Sequence, residues 1–364
     1  MAYSPVEALK HFKVVAYTGT GNDTRNIDVG FQADMVWVKD RTTMYHHRLF
    51  DTARRVSGVG KALYVNKNSA QDHHDDHPEV NFASPYSNGW AMMENTGSNK
   101  SSVGVNNTNN LHDNFNWKMG GDPVSNTDGN ISGVTVTANA SSGCSIVTYT
   151  GQGTQTGKTV GHGLGAIPEF IISKDYLATS NVTDFRVYHK SVGHLKYLTL
   201  NSEAAPSTYN DWDNTAPTSS VYSIGGAGGY TPTNTNNTKY IGYVFAPVTG
   251  FSKFDEYTGN GLVDGPYVYC GFKPAWVMVK NKASGVSWMI QSSPRDVDNP
   301  VHHRMKANDY QGVANNVNQM DFYSNGFKLT VNDSSWNTNG NVYVYAAFAD
   351  QPLVSSNSVP ATAR

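Results

Sequence analysis

A five-residue pattern, Y-T-G-x-G, occurs three times, at Tyr17-Thr18-Gly19-Thr20-Gly21, Tyr149-Thr150-Gly151-Gln152-Gly153 and Tyr257-Thr258-Gly259-Asn260-Gly261. Each copy leads to the same second element. Gly30-Phe31-Gln32-Ala33-Asp34-Met35-Val36-Trp37-Val38-Lys39 aligns without a gap to Gly271-Phe272-Lys273-Pro274-Ala275-Trp276-Val277-Met278-Val279-Lys280, and more loosely to the stretch from Gly165 to Lys174. Self-similarity of this kind means one supersecondary unit used repeatedly, and it limits the chain to architectures that tolerate repetition. Val36, Trp37 and Val38 are apolar on consecutive positions, as in a central strand buried on both faces. Lys39, Lys174 and Lys280 end those runs and are expected at the solvent edge.

Other landmarks recur in the same order. Tyr86-Ser87-Asn88-Gly89-Trp90 answers Tyr323-Ser324-Asn325-Gly326-Phe327, with a degenerate Tyr222-Ser223-Ile224-Gly225 between them. Asn-Gly between aromatics signals a hairpin. Closing strands are read at Tyr240 to Pro247 and at Val342 to Ala349, with a weaker counterpart at Asn114 to Met119. With 34 Gly and only 15% charged residues, the composition favours tight turns and strands over helix.

The expected fold is therefore all-β: three tandem β-sandwich-like repeat domains behind a short N-terminal helix. The boundaries are an arm at 1–12, repeats at 13–121, 144–250 and 251–353, a linker or edge strand at 122–143, and a tail at 354–364. Ser4-Pro5-Val6-Glu7 forms a capping box with Pro at the first helical position and predicts a helix to about Phe12. A chain of 364 residues exceeds the usual size of one hydrophobic core, so separate cores are expected.

The 27 Lys+Arg against 29 Asp+Glu leave a net charge of −2, which disfavours nucleic-acid binding. No apolar run reaches the ~20 residues of a membrane helix, and no signal-peptide pattern opens the chain, so a soluble protein without membrane insertion or export label is expected. Cys144 and Cys270 read as ordinary buried thiols.

Candidate chemistry is sparse. Asp72-His73-His74-Asp75-Asp76-His77 offers His73, His74 and His77 as metal ligands, but adjacent histidines point apart and the other repeats lack the cluster, so the expectation is a polar surface loop. His46-His47 and His302-His303 are expected on surface strands or loops. Gly161-His162-Gly163-Leu164-Gly165 precedes a strand, which removes the helix that a phosphate loop needs. Asp296 and Asp298 are carboxylates available to a glycosidase by number alone, and no nucleophile elbow is present. No cofactor and no catalysis are expected. Trp212, between Asp211 and Asp213, and Trp336, before Asn337, sit in polar settings that make them the candidates for stacking on a glycan or receptor, although packing over a domain end is the preferred reading of each.

Val124-Ser125-Asn126-Thr127-Asp128-Gly129, Val160-Gly161-His162-Gly163-Leu164-Gly165, Thr215 to Val221 and Gly250-Phe251-Ser252-Lys253-Phe254 resemble segments of an uncharacterised repeat family in tailed bacteriophages, especially marine ones. The resemblance runs over nearly the whole chain. It implies a virion protein assembled in the host cytoplasm: an outward-facing tail fibre or spike component that contacts a host glycan or receptor, packs against other virion proteins and forms a homo-oligomer, a trimer by similarity to phage fibres. The alternatives are a capsid decoration or head fibre with a structural role, and a capsule depolymerase. The family carries no catalytic residues to transfer.

Overall fold

A computed structural model of the chain describes residues 4–21, 24–55, 57–71, 80–81, 86–92, 104–153, 156–178, 182–226, 231–296, 298–314 and 319–352. The described chain is all-β, built from antiparallel sheets. Each repeat contributes one large sheet with a fixed order of opening, closing, central, fourth and fifth strand. The opening strands are Phe12–Thr18, Cys144–Thr150 and Ser252–Thr258, and they pair with closing strands Leu111–Trp117, Lys239–Phe245 and Val342–Pro352. The central strands are Met35–Asp40, Phe170–Asp175 and Phe272–Asn281. The fourth are Arg48–Asp51, Arg186–His189 and Met289–Ser292, and the fifth Leu63–Tyr64, Lys196–Thr199 and Met305–Lys306. A smaller sheet covers one face of each large one: Arg25–Asp28 with Gly89–Met92, Lys158–Gly161 with Val221–Ile224, and Tyr267–Tyr269 with Gly326–Leu329 and Met320–Tyr323. Residues 122–143 form a hairpin, Val124–Asn126 with Val134–Asn139, added to the edge of the second large sheet beside Cys144–Thr150.

The recurring motif is a corner, and each of its residues has a task. Tyr17, Tyr149 and Tyr257 stack on their cross-strand partners His112, Tyr240 and Tyr343 at ring separations of 5.0, 5.1 and 5.1 Å. Their buried hydroxyls donate to the carbonyls of Val105, Thr233 and Trp336 at 2.5, 2.8 and 2.8 Å. The next residue is a buried asparagine each time. The Oδ1 atoms of Asn106, Asn234 and Asn337 accept from the amides of Thr20, Gln152 and Asn260. The two glycines answer different constraints. A side chain at Gly19, Gly151 or Gly259 would collide with the carbonyl of Asn107, Thr235 or Thr338, whereas Gly21, Gly153 and Gly261 hold φ of 73°, 68° and 70°, the left-handed region.

The central strands are buried on both faces, as their composition predicts, and in repeats 1 and 2 the two faces lead to different cores, whereas in repeat 3 both faces join one cluster. Val36 and Val38 pack within repeat 1 against Ile27, Phe50 and Trp90. Met35 and Trp37 point the other way, into a cluster that also holds Phe170 and Ile172 of repeat 2 and Trp276 and Met278 of repeat 3. Repeats 1 and 2 thus keep separate cores of their own, but the inner faces of all three large sheets also fill one shared core, which the sequence reading does not anticipate. Trp276 packs edge-on to Trp117, 5.9 Å away, and Phe245 meets Phe348 at 5.7 Å. What remains between them is a hole of about 10 Å³, lined by Trp37, Ile172 and Met278 among others. An apolar hole that small stays dry.

The repeats contact one another cyclically. His47 accepts a hydrogen bond from Trp37 Nε1 at Nδ1 (2.9 Å) and donates from Nε2 to Lys306 O (2.9 Å), joining repeat 1 to repeat 3. At the equivalent place Trp288 Nε1 donates to Thr199 O at 2.8 Å, joining repeat 3 to repeat 2. His189 Nε2 donates to Tyr345 O at 3.1 Å across that same junction. Between repeats 2 and 1, Tyr243 donates to Asp51 Oδ2 at 2.7 Å, and Asp51 is held by Arg54 at 2.7 Å. Three sheets and three seams close a ring.

Two sequence expectations fail, each for a local reason. Lys39, Lys174 and Lys280 are buried. Lys39 Nζ reaches the carbonyls of Asp40 (2.7 Å), Tyr45 (2.9 Å) and, from repeat 3, Tyr310 (3.2 Å); Lys280 Nζ reaches those of Val286 (2.7 Å) and, from repeat 2, Glu203 (3.0 Å). Lys174 is paired with Asp175. Burial pushes the Lys39 and Lys280 ammonium groups down to about 8. The N-terminal helix is only a 3-10 turn, Ala8–Lys10, because Ser4 hydrogen-bonds Val6 and Phe12 already starts a strand. So short a segment cannot repay helix nucleation. The 354–364 tail lies outside the described residues.

Candidate recognition surface

The two tryptophans named as candidates for ligand contact do not reach solvent, in keeping with the preferred reading that they pack inward. Trp212 is 1% exposed and Trp336 is 0% exposed, so the candidate glycan or receptor contact at either is corrected. Trp212 packs edge-on to Tyr188 at 5.8 Å inside repeat 2. Trp336 lends its carbonyl to Tyr257 and precedes Asn337 of the third corner. Their polar neighbours are occupied with backbone turns, as Asp333 Oδ1 is with the amide of Ser335, which leaves the indoles to pack inward.

Of the histidine pairs, His302-His303 lies in a partly exposed loop as expected, and His47 departs from expectation. His47 is fully buried at a seam, and burial holds it well below its ordinary range. His303 Nδ1 lies 2.6 Å from Asp296 Oδ1, while Asp296 Oδ2 accepts the amides of His302 and His303 at 2.9 and 3.0 Å. Asp296 therefore shapes a loop. His162 is buried, its Nε2 3.2 Å from Thr218 O. Burial pushes both free thiols, Cys144 and Cys270, up to about 12. His73, His74 and His77 lie outside the described residues, and among the described residues no group of three His, Cys, Asp or Glu side chains could hold a metal. No helix among them is long and apolar enough to cross a membrane.

Three tyrosines are exposed among the described residues: Tyr310 lies at the seam with repeat 1, beside His46, and the other two share the small sheet of repeat 3. Tyr267 is 45% and Tyr269 is 55% exposed, on the solvent side of a strand whose middle residue, Val268, is buried. Pairing sets Tyr267, Lys328 and Asp321 in one row across the sheet and Tyr269, Gly326 and Tyr323 in the next. Tyr267 meets Tyr323 edge-on at 5.8 Å, and its hydroxyl bonds Asn325 Oδ1, holding the ring over Gly326. The preceding loop adds Leu262 and Val263, both strongly exposed. Charges at the margin are paired: Lys328 with Asp264, and Lys253 with Asp255. Lys253 Nζ also bonds Tyr269 O at 2.8 Å, so an ammonium sits on the strand's free edge and blocks pairing there. What stays available is the tyrosine face.

Among the described residues this face occurs once. At the positions of Tyr267 and Tyr269 the first repeat has Asn26 and Asp28, and the second has Thr159 and Gly161. In repeat 2 the edge hairpin covers the corresponding strand: Asn130 and Thr159 exchange hydrogen bonds of 3.0 and 2.9 Å. Sequence reading missed Tyr267 and Tyr269, although their period-two spacing in Tyr267-Val268-Tyr269 was the available signal.

Residues 7–352 match a family described as a domain of unknown function, DUF7483. The chain belongs to this family. The DUF7483 match runs from the 3-10 turn to the last closing strand, so the unit that the family describes is the closed set of three repeats and not one of them. No curated protein and no solved structure gives a match.

Proposed function

We propose that this DUF7483 chain is an outward-facing, non-catalytic structural component of a bacteriophage virion, a tail-fibre or spike segment that contacts a host glycan or receptor through the tyrosine face of repeat 3. The observation that carries the reading is the single differentiated face on a threefold scaffold: Tyr267, Tyr269 and Tyr323, with Leu262 and Val263 beside them, where the other repeats are polar or covered. Tyrosine supplies large, stiff contact area at low entropic cost, and polar neighbours such as Asn325 supply hydrogen bonds to hydroxyl-rich ligands. The viral assignment rests on the phage-repeat resemblance.

Purified protein is expected to block adsorption of the phage to its host, and the double variant Tyr267→Ala, Tyr269→Ala to lose that block while keeping its fold. Normal adsorption by particles lacking the protein defeats the reading. Incubation with host capsule separates the depolymerase alternative, since new reducing ends abolished by one Asp or Glu substitution would require a catalytic groove. The purely structural alternative, a capsid decoration or head fibre, is favoured by one feature, the sealed common core, which makes the chain a stiff spacer. The three repeats satisfy one another's apolar faces, so a homotrimer in the particle would rest on the repeat 3 patch and not on a shortage of core.

A further inference from the structure

A cleft of about 720 Å³ opens between repeat 1 and the edge hairpin, at the one junction where the threefold arrangement is broken by added chain. Its volume lies in the range of small-molecule sites. Repeat 1 supplies Phe31, Gln32 and Lys118 to one wall, and the end of the hairpin supplies Asn139 and Ser141 to the other. The walls are tied together. Asn139 Nδ2 donates to His11 Nδ1 at 3.0 Å, and Gly120 lies so close to the backbone of Ala138 that a side chain there would collide with it. Beneath them, Asp34 Oδ2 accepts the amides of Met119, Gly120 and Gly121 at 2.7, 2.9 and 3.1 Å. The cleft is thus held open by bonds that do not involve a ligand.

Of the charged side chains that line it, Lys118 alone has no partner among the described residues. Lys10 is paired with Glu7 at 2.8 Å. Asp34 is committed to its three amides and to Gln32 Nε2 at 3.1 Å. Burial, with Lys118 next in weight, keeps His11 below its ordinary range; as Nδ1 accepts from Asn139, the neutral ring presents Nε2–H as a donor. Lys118 is half-buried and has no ion pair among the described residues. An ammonium without an ionic partner selects an anionic group, and the Ser141 hydroxyl and the His11 imidazole beside it select hydroxyls.

We propose that this cleft binds a saccharide unit carrying one carboxylate, with Lys118 facing the carboxylate and Ser141 and His11 the hydroxyls, while Asn139 holds both in place by accepting from Ser141 Oγ at 2.7 Å and donating to His11 Nδ1. The site is separate from the tyrosine face and does not depend on it. The test is a calorimetric titration of the full chain at neutral pH with trigalacturonate, its methyl ester, and acetate. The acid trimer is expected to bind about tenfold more tightly than the ester, the difference one charge-assisted contact supplies. Lys118→Gln should bring the acid trimer to the ester's affinity, and Ala140→Tyr, at an exposed lining position, should abolish binding of both. Tyr269→Ala should change neither. Absence of binding by the acid trimer, equal affinity for acid and ester, acetate competing as well as the trimer, or indifference to both cleft variants would each overturn the proposal.

Discussion

The inner and outer sheets of this chain derive from one repeat and obey different rules. On the inner side, Met35, Phe170 and Trp276 occupy equivalent positions on three central strands and all enter one core. On the outer side, Asn26, Thr159 and Tyr267 occupy equivalent positions and share neither chemistry nor partner. The difference shows what closure of the ring constrains. An inner side chain must fill space left by two other repeats, so its size is fixed by residues distant in sequence. An outer side chain answers only to its own sheet and to whatever lies in solvent, so it is free to specialise.

The comparison breaks first if the inner core is not shared. Trp276→Ala removes a buried indole that touches Phe115 and Trp117 of repeat 1 and Phe348 of its own repeat. It should cost about 4 kcal/mol. Because the core is common, denaturant should still unfold the whole chain in one transition at a lower midpoint, and a repeat 3 that melted alone would show the cores to be separate. The corners give the next largest effect. Gly259→Ala drives a methyl group into the carbonyl of Thr338 and should cost about 3 kcal/mol, whereas Gly133→Ala, at positive φ with open space around it, should cost about 1 kcal/mol. Equal costs at the two glycines would mean that close approach is not what the first corner glycine serves.

Which of these features sequence could reveal follows from where their partners come from. The corner motif, the doubly buried Val36-Trp37-Val38 run and the closing strands depend on local backbone pattern, and they were legible. The Asn-Gly hairpin was legible for a partly different reason: Gly326 and Gly89 are needed where a side chain would strike the carbonyls of Val268 and Ile27 across the sheet. Lys39 and Lys280 were misread because their carbonyl partners Tyr310 and Glu203 arrive from other repeats. A strand buried on both faces does not say whether its second face meets its own domain or a neighbour, so the shared core was hidden. For the candidate surface, a tryptophan among polar residues proved a poor guide, and an alternating tyrosine pair would have been a better one.

A pH titration sharpens the comparison at the seams. His189 is buried and neutral, donating to Tyr345 O and accepting from the Ser191 amide, and burial holds it at about 4. In the unfolded chain it titrates near 6.5. The folded value is the lower one, so between these two the unfolded state binds more protons and stability falls as the solution is acidified. The loss should begin below about pH 6.5 and reach about 3 kcal/mol when both states are protonated. His47, also lowered by burial, adds to it with the same sign. Denaturation midpoints at pH 7.5 and pH 5 check this. His189→Gln, which keeps a donor for Tyr345 O, should flatten part of the slope, and an unchanged slope would remove His189 from the account.

The smallest effect on stability belongs to the outer face, and its smallness is informative. Tyr267 and Tyr269 are about half exposed and cover little apolar surface beyond each other's neighbours, Tyr323 and Gly326. Replacing either by Ala should change stability by no more than about 0.5 kcal/mol, as surface substitutions do away from caps and buried networks. Tyr267 is the larger of the two, since it also loses the hydrogen bond to Asn325 and uncovers Gly326. Unfolding midpoints of the two single variants measure this directly. If Tyr269→Ala instead cost as much as Gly259→Ala, the tyrosines would be part of the scaffold, and their exposure would no longer argue for a ligand. A near-neutral result leaves two large aromatic rings held in water by nothing the fold requires, which is the condition under which a recognition role is the better physical explanation of their presence.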